Sequence, residues 1–173
     1  MLPDSTKRVE VAGVGVTLNA TASVERPDSG WLDARYGGQG ATLHLSVVHA
    51  PTADALDKAV ANRQQRINLN IGESGAETRY FESASGFECL LIVTTDVCMT
   101  PVQVLAKGPG NTLVSGAFVF DGTVESLDSI RPVVQELEGE GQRILESLST
   151  ESRDIRNKRS RAENMRILGD EGD

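Results

Sequence analysis

The amino-acid sequence predicts an α+β domain in which an antiparallel sheet is covered by helices. Segments with apolar residues at every second position alternate with short clusters of Gly, Pro, Asn and Asp, a pattern typical of strands joined by turns. Residues 52–72 and 128–149 instead repeat their apolar positions at helical spacing. Because a chain of 173 residues can form one stable core, we expect a single domain over residues 1–149, followed by a charged tail or helical extension over residues 150–173.

The N-terminal third of the domain is predicted to contain short strands. Residues 9–24 alternate apolar and polar side chains and predict one or two strands, with a bulge or bend where two glycines interrupt the run. The composition of residues 26–30 and of residues 37–40 predicts turns, and the segment 31–36 between them predicts a strand.

Residues 41–49 predict a strand with Leu43 on its apolar face and with His44 and Ser46 on the other face. His49, the second histidine of the chain, is expected on the face opposite His44, because the two are five positions apart. The two imidazoles therefore cannot bind one metal ion without a bulge. Ser46 lacks the G-x-S-x-G elbow that exposes the nucleophile of a serine hydrolase.

The first helix is predicted to begin after Pro51, where the Thr52 hydroxyl can cap its N-terminus. It should end near Gly72. The side chains that recur at helical spacing within it are Ala55, Leu56, Ala59, Val60, Arg63 and Ile67.

Four further strands are predicted after this helix. Residues 77–82 are expected to be extended, and residues 87–95 have the apolar composition of a buried strand. Residues 101–107 and 112–120 follow. Since residues 107–111 between them are rich in turn formers, the last two strands should form a hairpin.

The last helix is predicted to start at Asp128 or Ser129, with Pro132 in its first turn, where a missing N–H is tolerated. Gly139 and Gly141 within it indicate close packing or a local bend. Its apolar stripe, expected to face the sheet, comprises Ile130, Val133, Val134, Leu137, Ile144, Leu145 and Leu148.

The motifs that usually carry catalysis or cofactor binding are incomplete in this sequence. The glycine clusters at residues 37–40 and 108–110 lack the spacing of a phosphate-binding loop, and residues 13–15 form a G-x-G without the rest of the dinucleotide fingerprint. Glu136 and Glu140 are spaced i, i+4, and we interpret them as part of the solvated face of the last helix. We therefore predict no enzyme, and no catalytic, cofactor-binding or metal-binding residue.

The net charge of −8 and the isoelectric point near 4.8 oppose nucleic-acid binding, which depends on basic side chains that neutralise phosphates.

Cys89 and Cys98, the only cysteines, have no histidine close in sequence and do not form a zinc motif. Two alternatives remain for them: a disulfide across a tight hairpin, or two buried free thiols. The first residues lack the apolar core of a signal peptide, which predicts either a cytoplasmic protein or a trimmed chain.

The order of several segments resembles a known family. The segments PVQV at residues 101–104, LVSGAFVF at 113–120, DSIRPVV at 128–134 and ILESL at 144–148 resemble the C-terminal half of GldD, a family of gliding-motility-associated lipoproteins of the Bacteroidetes. The segment ATLHLS at residues 41–46 is similar to the central strand of that family.

This resemblance implies a PsbP/Mog1-like α/β/α sandwich, and a periplasm-facing accessory protein anchored to the cell envelope by a lipid. Such a protein would support gliding motility and type IX protein secretion through contacts with envelope proteins. The resemblance supplies no catalytic residues, and the lipobox cysteine that would carry the lipid is absent from this sequence. The alternative function is a domain that binds a small ligand or delivers a metal ion, for which we expect a polar pocket between the sheet and a helix.

Overall fold

A computed structural model of the chain describes residues 2–122 and 126–150. Within these ranges it contains nine strands and two α-helices. The strands are β1 (Thr6–Val11), β2 (Val14–Asn19), β3 (Ser23–Asp28), β4 (Trp31–Tyr36), β5 (Ala41–His49), β6 (Ala76–Glu82), β7 (Glu88–Thr94), β8 (Val102–Gly108) and β9 (Thr112–Phe120). The helices are α1 (Ala53–Ile71) and α2 (Leu127–Ser147), and one 3₁₀ turn spans Gly37–Gln39.

Seven of these strands form one antiparallel sheet in the order β3-β4-β5-β9-β8-β7-β6, while β1 and β2 form a separate hairpin. Helix α2 packs against β2, β7 and β8, and helix α1 packs against β8 and β9. The predicted α+β class is confirmed. The tail predicted for residues 150–173 lies outside the described residues, apart from Thr150.

The two faces of the sheet have separate apolar cores, because adjacent strand residues point to opposite sides. Leu91 belongs to the core shared with α2 and the β1–β2 hairpin, whereas its neighbours Leu90 and Ile92 belong to the core beneath α1. Burying one such side chain contributes about 1.5–3 kcal/mol to folding. The sheet is therefore the middle layer between two helices, as the sequence predicts.

The N-terminal segment contains more strands than predicted. Where the sequence predicts one or two strands over residues 9–24, the structure has β1, β2 and the beginning of β3. Ala12 and Gly13 form the turn between β1 and β2 with φ of 48° and 83°, the backbone that two-residue hairpins prefer. The predicted turn at residues 26–30 is also shorter, since β3 continues to Asp28.

The predicted limits of α1 are confirmed. The Thr52 hydroxyl accepts a hydrogen bond of 3.1 Å from the backbone N–H of Ala55, which satisfies one free donor of the first turn. Gly72 ends the helix at φ 60°, a conformation that glycine adopts without strain.

Helix α2 begins earlier than predicted. Its cap is Ser126, whose hydroxyl accepts from the N–H of Ser129 at 3.3 Å, so neither predicted cap, Asp128 or Ser129, has that role. Pro132 consequently lies in the second turn instead of the first. The apolar stripe does face the sheet: Leu137, Ile144, Leu145 and Leu148 are fully buried.

Candidate functional site in a polar cleft beside α1

Helix α1 covers only part of its face of the sheet. Beneath the helix this face carries large apolar residues of β7, β8 and β9, such as Ile92 and Leu105. Beyond the helix, on β4, β5 and the adjoining part of β9, it carries mostly small or polar residues, with Trp31 of β4 as a large aromatic one. One cross-strand row shows the change: Asp33 pairs with His44, His44 with Ala117, Ala117 with Gln103, and Gln103 with Ile92.

The change from large to small side chains leaves a cleft of about 320 Å³ between α1 and the sheet. This volume is at the lower end of the range of small-molecule sites. The residues that line the cleft include Trp31, Asp33, His44, Ser46, Arg63, Arg66, Ile67, Gln103, Ser115 and Ala117.

The α1 wall of the cleft is positively charged. Arg63 and Arg66 are three positions apart on the helix and both line the cleft. Among the described residues neither guanidinium has an acidic partner within ion-pair distance. Burial, and to a smaller extent the charge of Arg66, lowers the pKa of Arg63 from its ordinary value. Each of these observations indicates cationic groups that would gain from a bound anion.

Gln103 adds a buried hydrogen-bond donor. Its side chain is 2% exposed, and its Oε1 accepts a hydrogen bond of 3.1 Å from Asn70 Nδ2. Its Nε2 has no partner among the described residues. An unsatisfied buried donor costs about 1–3 kcal/mol. Since Nε2 is itself buried, the amide must rotate toward the cleft before an acceptor of a ligand can recover this free energy.

The opposite wall contains the pair of side chains that most resembles a catalytic group. His44 Nδ1 lies 2.6 Å from Asp33 Oδ1. However, the His44 side chain is 53% exposed, and the Ser46 hydroxyl bonds to that of Ser115 at 3.0 Å. No hydrogen bond joins His44 to Ser46 within the described ranges, so the structure brings an acid and a histidine together without an activated nucleophile.

The second histidine is not part of this site. His49 Nε2 lies 2.5 Å from the carbonyl oxygen of Ala12, and its Nδ1 lies 3.0 Å from Thr112 Oγ1. These contacts hold the β1–β2 turn against the sheet on the side where α2 packs. Because His44 lies on the α1 side, the prediction that the two histidines lie on opposite faces is confirmed.

The interpretation of Glu140 as a solvated residue is wrong. Its side chain is fully buried between α2 and the β1–β2 hairpin. Its Oε2 accepts hydrogen bonds from the Tyr36 hydroxyl at 2.5 Å and from the N–H of Asn19 at 2.7 Å. Arg143 Nη1 is 3.7 Å from its Oε1. Glu136 is half-buried and accepts a hydrogen bond from Gln39. These contacts join the layers.

The two cysteines are free thiols at different places in the fold. Cys89 is buried at the start of β7, and Cys98 is half-buried in the loop that follows β7. Burial raises the pKa of the Cys89 thiol to about 11. Since both thiols are free, the two cysteines do not form the disulfide that was one alternative. The other alternative, two buried thiols, is correct for Cys89 but not for the half-buried Cys98.

Comparisons with known proteins do not identify the chain: no protein-family profile matches it, and no curated protein is significantly similar to it. The assignment of this site therefore depends only on the geometry of the described residues.

In residues 2–122 and 126–150, no group of three or more His, Cys, Asp or Glu side chains is arranged to hold a metal ion. Over the same residues neither helix is long and apolar enough to cross a membrane.

Two residues of this site are unusual for their positions in the sequence, although the sequence analysis did not select them as site residues. Gln103 is a polar residue in the apolar run PVQVLA, and Arg63 falls on the apolar stripe of α1. A polar side chain at a buried position usually has a partner. Such residues mark a site only once the neighbouring strands are known.

Proposed function

We propose that this chain is a non-enzymatic binding domain and that the cleft beside α1 binds the anionic group of a small ligand. One observation carries the proposal: Arg63 and Arg66, both without acidic partners among the described residues, share a cleft with the unsatisfied buried donor of Gln103. Hydrogen bonds between a guanidinium and a phosphate or carboxylate are about twice as strong as neutral ones. The cleft is also the polar pocket between sheet and helix that the ligand-binding alternative requires.

The absence of catalysis is part of this proposal. The Asp33–His44 pair could in principle activate a nucleophile, but the hydroxyl on the neighbouring row, that of Ser46, is bonded to Ser115. The metal-delivery form of the alternative has no cluster of ligands to support it within the described part of the chain.

For the cellular role we propose a GldD-like accessory protein of the cell envelope, lipid-anchored and periplasm-facing, that acts with motility and type IX secretion proteins. The support is the sequence resemblance, together with the order of the elements that carry it: a central strand, then a helix, then a hairpin and a last helix.

The binding proposal is tested by calorimetric titration of the whole chain with inorganic phosphate and with succinate at low ionic strength. We expect weak binding that the double variant Arg63→Gln/Arg66→Gln reduces by at least about tenfold, since two charge-assisted contacts are lost. Lys58→Gln is the matched control, because Lys58 is an exposed cation on the same helix. Binding of neither anion, or equal loss in the control, would reject the proposal.

The envelope role needs a separate experiment. A pull-down from a membrane-derived extract of a gliding bacterium, with the intact chain as bait, should recover motility or secretion components. Recovery of none of them would contradict the GldD-like role and leave the anion-binding proposal unaffected.

A further inference from the structure

We infer that the ligand of the cleft is an aromatic anion, a molecule with a phosphate or carboxylate at one end and a planar ring at the other. This inference rests on the proposed anion-binding function and specifies its ligand. It comes from the position of Trp31 relative to the two arginines.

Trp31 is the only tryptophan of the chain, and it lines the cleft while remaining 37% exposed. It lies on β4 and pairs with Ser46, which in turn pairs with Ser115. The two serines next to it are small, so the row beside the indole leaves room for a flat group. Stacking between aromatic rings is the interaction that a partly exposed tryptophan in a concave site favours.

The apolar part of the cleft extends from Trp31 toward α1. Ile67 of α1 and Ala117 of β9 line it. A ring in this part would contact Trp31 on one side and aliphatic side chains on the other. Small anions without a ring would leave these surfaces without a partner.

The floor of the cleft is long enough for a ring and an anionic group to lie side by side. Trp31 lies on β4 and Gln103 on β8, and the strand order places these strands three steps apart. With about 4.8 Å between neighbouring strands, the two positions are separated by at least about 14 Å, because Gln103 also lies two residues along the strand from the row of Trp31. The volume of about 320 Å³ accommodates one ring with one anionic group, and not a dinucleotide.

Polar groups on the wall opposite the arginines suit the hydrogen-bonding edge of a ring or an attached sugar. Asp33 accepts hydrogen bonds, and His44, held by Asp33, is half-exposed in the cleft. Nucleotides and aromatic acids share this chemistry, and the choice of probes distinguishes them.

The experiment uses the emission of Trp31, which reports from the cleft because the chain has no other tryptophan. The probes are inorganic phosphate, ribose 5-phosphate, phenyl phosphate, benzoate and adenosine 5′-monophosphate. We expect the ring-containing anions to quench the emission and to bind about tenfold tighter or more than the ring-free ones, as stacking on a tryptophan implies. A preference for the adenosine compound indicates a nucleotide, and a preference for benzoate indicates an aromatic acid.

Two substitutions separate this inference from the function on which it rests, and a third serves as a control. Trp31→Leu, followed by calorimetry, should remove the advantage of the ring, so that the ring-containing probes lose more affinity than inorganic phosphate does. Ala117→Leu should fill the apolar part and weaken the ring-containing probes selectively. Circular dichroism and thermal unfolding establish that each variant is folded, and Trp31→Phe, which keeps a ring, should retain the advantage.

If phosphate binds through Arg63 and Arg66 but phenyl phosphate and adenosine 5′-monophosphate bind no tighter, the inference is wrong while the anion-binding function stands. If no probe binds to the wild-type chain, both are wrong. Equal weakening of all probes by Trp31→Leu would likewise overturn the assignment of a ring site to Trp31.

Discussion

The Tyr36 hydroxyl donates a 2.5 Å hydrogen bond to Glu140 Oε2 in the interior of the domain, linking the end of β4 to the middle of α2. The same oxygen accepts from the N–H of Asn19, at the end of β2. One carboxylate thus connects the large sheet, the small hairpin and a helix. Buried polar groups of this kind specify how layers dock, because any other arrangement would leave them without partners.

Replacing this carboxylate should be costly. In Glu140→Ala, Tyr36, Asn19 and Arg143 lose their acceptor or counter-charge, and we expect the free energy of unfolding to fall by about 3–5 kcal/mol. Urea denaturation measures the change. Glu138→Ala is the control on the same helix, because its salt bridge to Arg79 is partly exposed and should contribute no more than about 1 kcal/mol. Similar losses for both variants would show that Glu140 does not join the layers.

Tyr36 should make stability depend on alkaline pH. Burial, and then the nearby charge of Glu140, raises the pKa of Tyr36 well above its ordinary value. In the unfolded chain that pKa is about 10, so the neutral phenol favours folding fully below pH 10. This contribution is lost as the pH rises further, by about 1.4 kcal/mol per pH unit.

The test compares wild type with Tyr36→Phe by urea denaturation between pH 9 and pH 11. The variant is expected to be less stable at pH 9, because the hydrogen bond to Glu140 is gone. Its stability should fall less steeply than that of wild type above pH 10. All other titrating groups are common to both proteins, so parallel pH profiles would mean that Tyr36 ionises as readily in the folded chain as in the unfolded one.

The two thiols should differ in reactivity. The pKa of Cys89 is raised to about 11, mainly by burial, and the thiolate is the reactive form. At pH 8 iodoacetamide should therefore alkylate Cys98 in the folded protein and leave Cys89 unmodified until denaturant is added. Peptide mass spectrometry locates the label. Rapid modification of Cys89 in the folded state, or a Cys89–Cys98 disulfide in the non-reduced sample, would disagree with the structure.

Elements whose signals are local were predictable from the sequence. The limits of β4 and β5 agree with the alternation of apolar and polar residues, and the limits of α1 agree with its cap at Thr52 and its terminal Gly72. In each case the determining residues lie within or next to the element. The start of α2 was misplaced because three residues near it, Ser126, Asp128 and Ser129, are chemically able to cap the helix.

Features that depend on partners distant in sequence were not predictable in the same way. Glu140 lies on the same helical face as Leu137 and Ile144, but its burial depends on Tyr36, 104 positions away. The cleft likewise depends on β9 lying between β5 and β8, which brings Ser46 and Gln103 to one face. A sequence pattern gives the side of a strand on which a residue lies, but it does not give the neighbouring strand.

The two glycines of α2 offer a matched pair of substitutions with opposite expected effects. A Cβ at Gly139 would have no atom within 4 Å. Gly139→Ala should therefore stabilise the protein by about 0.5–1 kcal/mol through helix propensity and a less flexible unfolded chain. A Cβ at Gly141 would lie 3.0 Å from Leu91 Cδ1 and 3.2 Å from Val102 Cγ1, so a larger side chain must displace these two side chains.

Gly141→Leu is accordingly expected to lower the free energy of unfolding by about 1–3 kcal/mol, because overpacking outweighs the gain in helix propensity. Urea denaturation of both variants at one pH measures the difference between them. The comparison is informative because alanine and leucine have similar helix propensities, so the difference between the two variants reports the size of the introduced side chain and the space around each glycine. If Gly141→Leu proved as stable as Gly139→Ala, α2 would not pack closely on β7 and β8, and the three-layer arrangement would be incorrect.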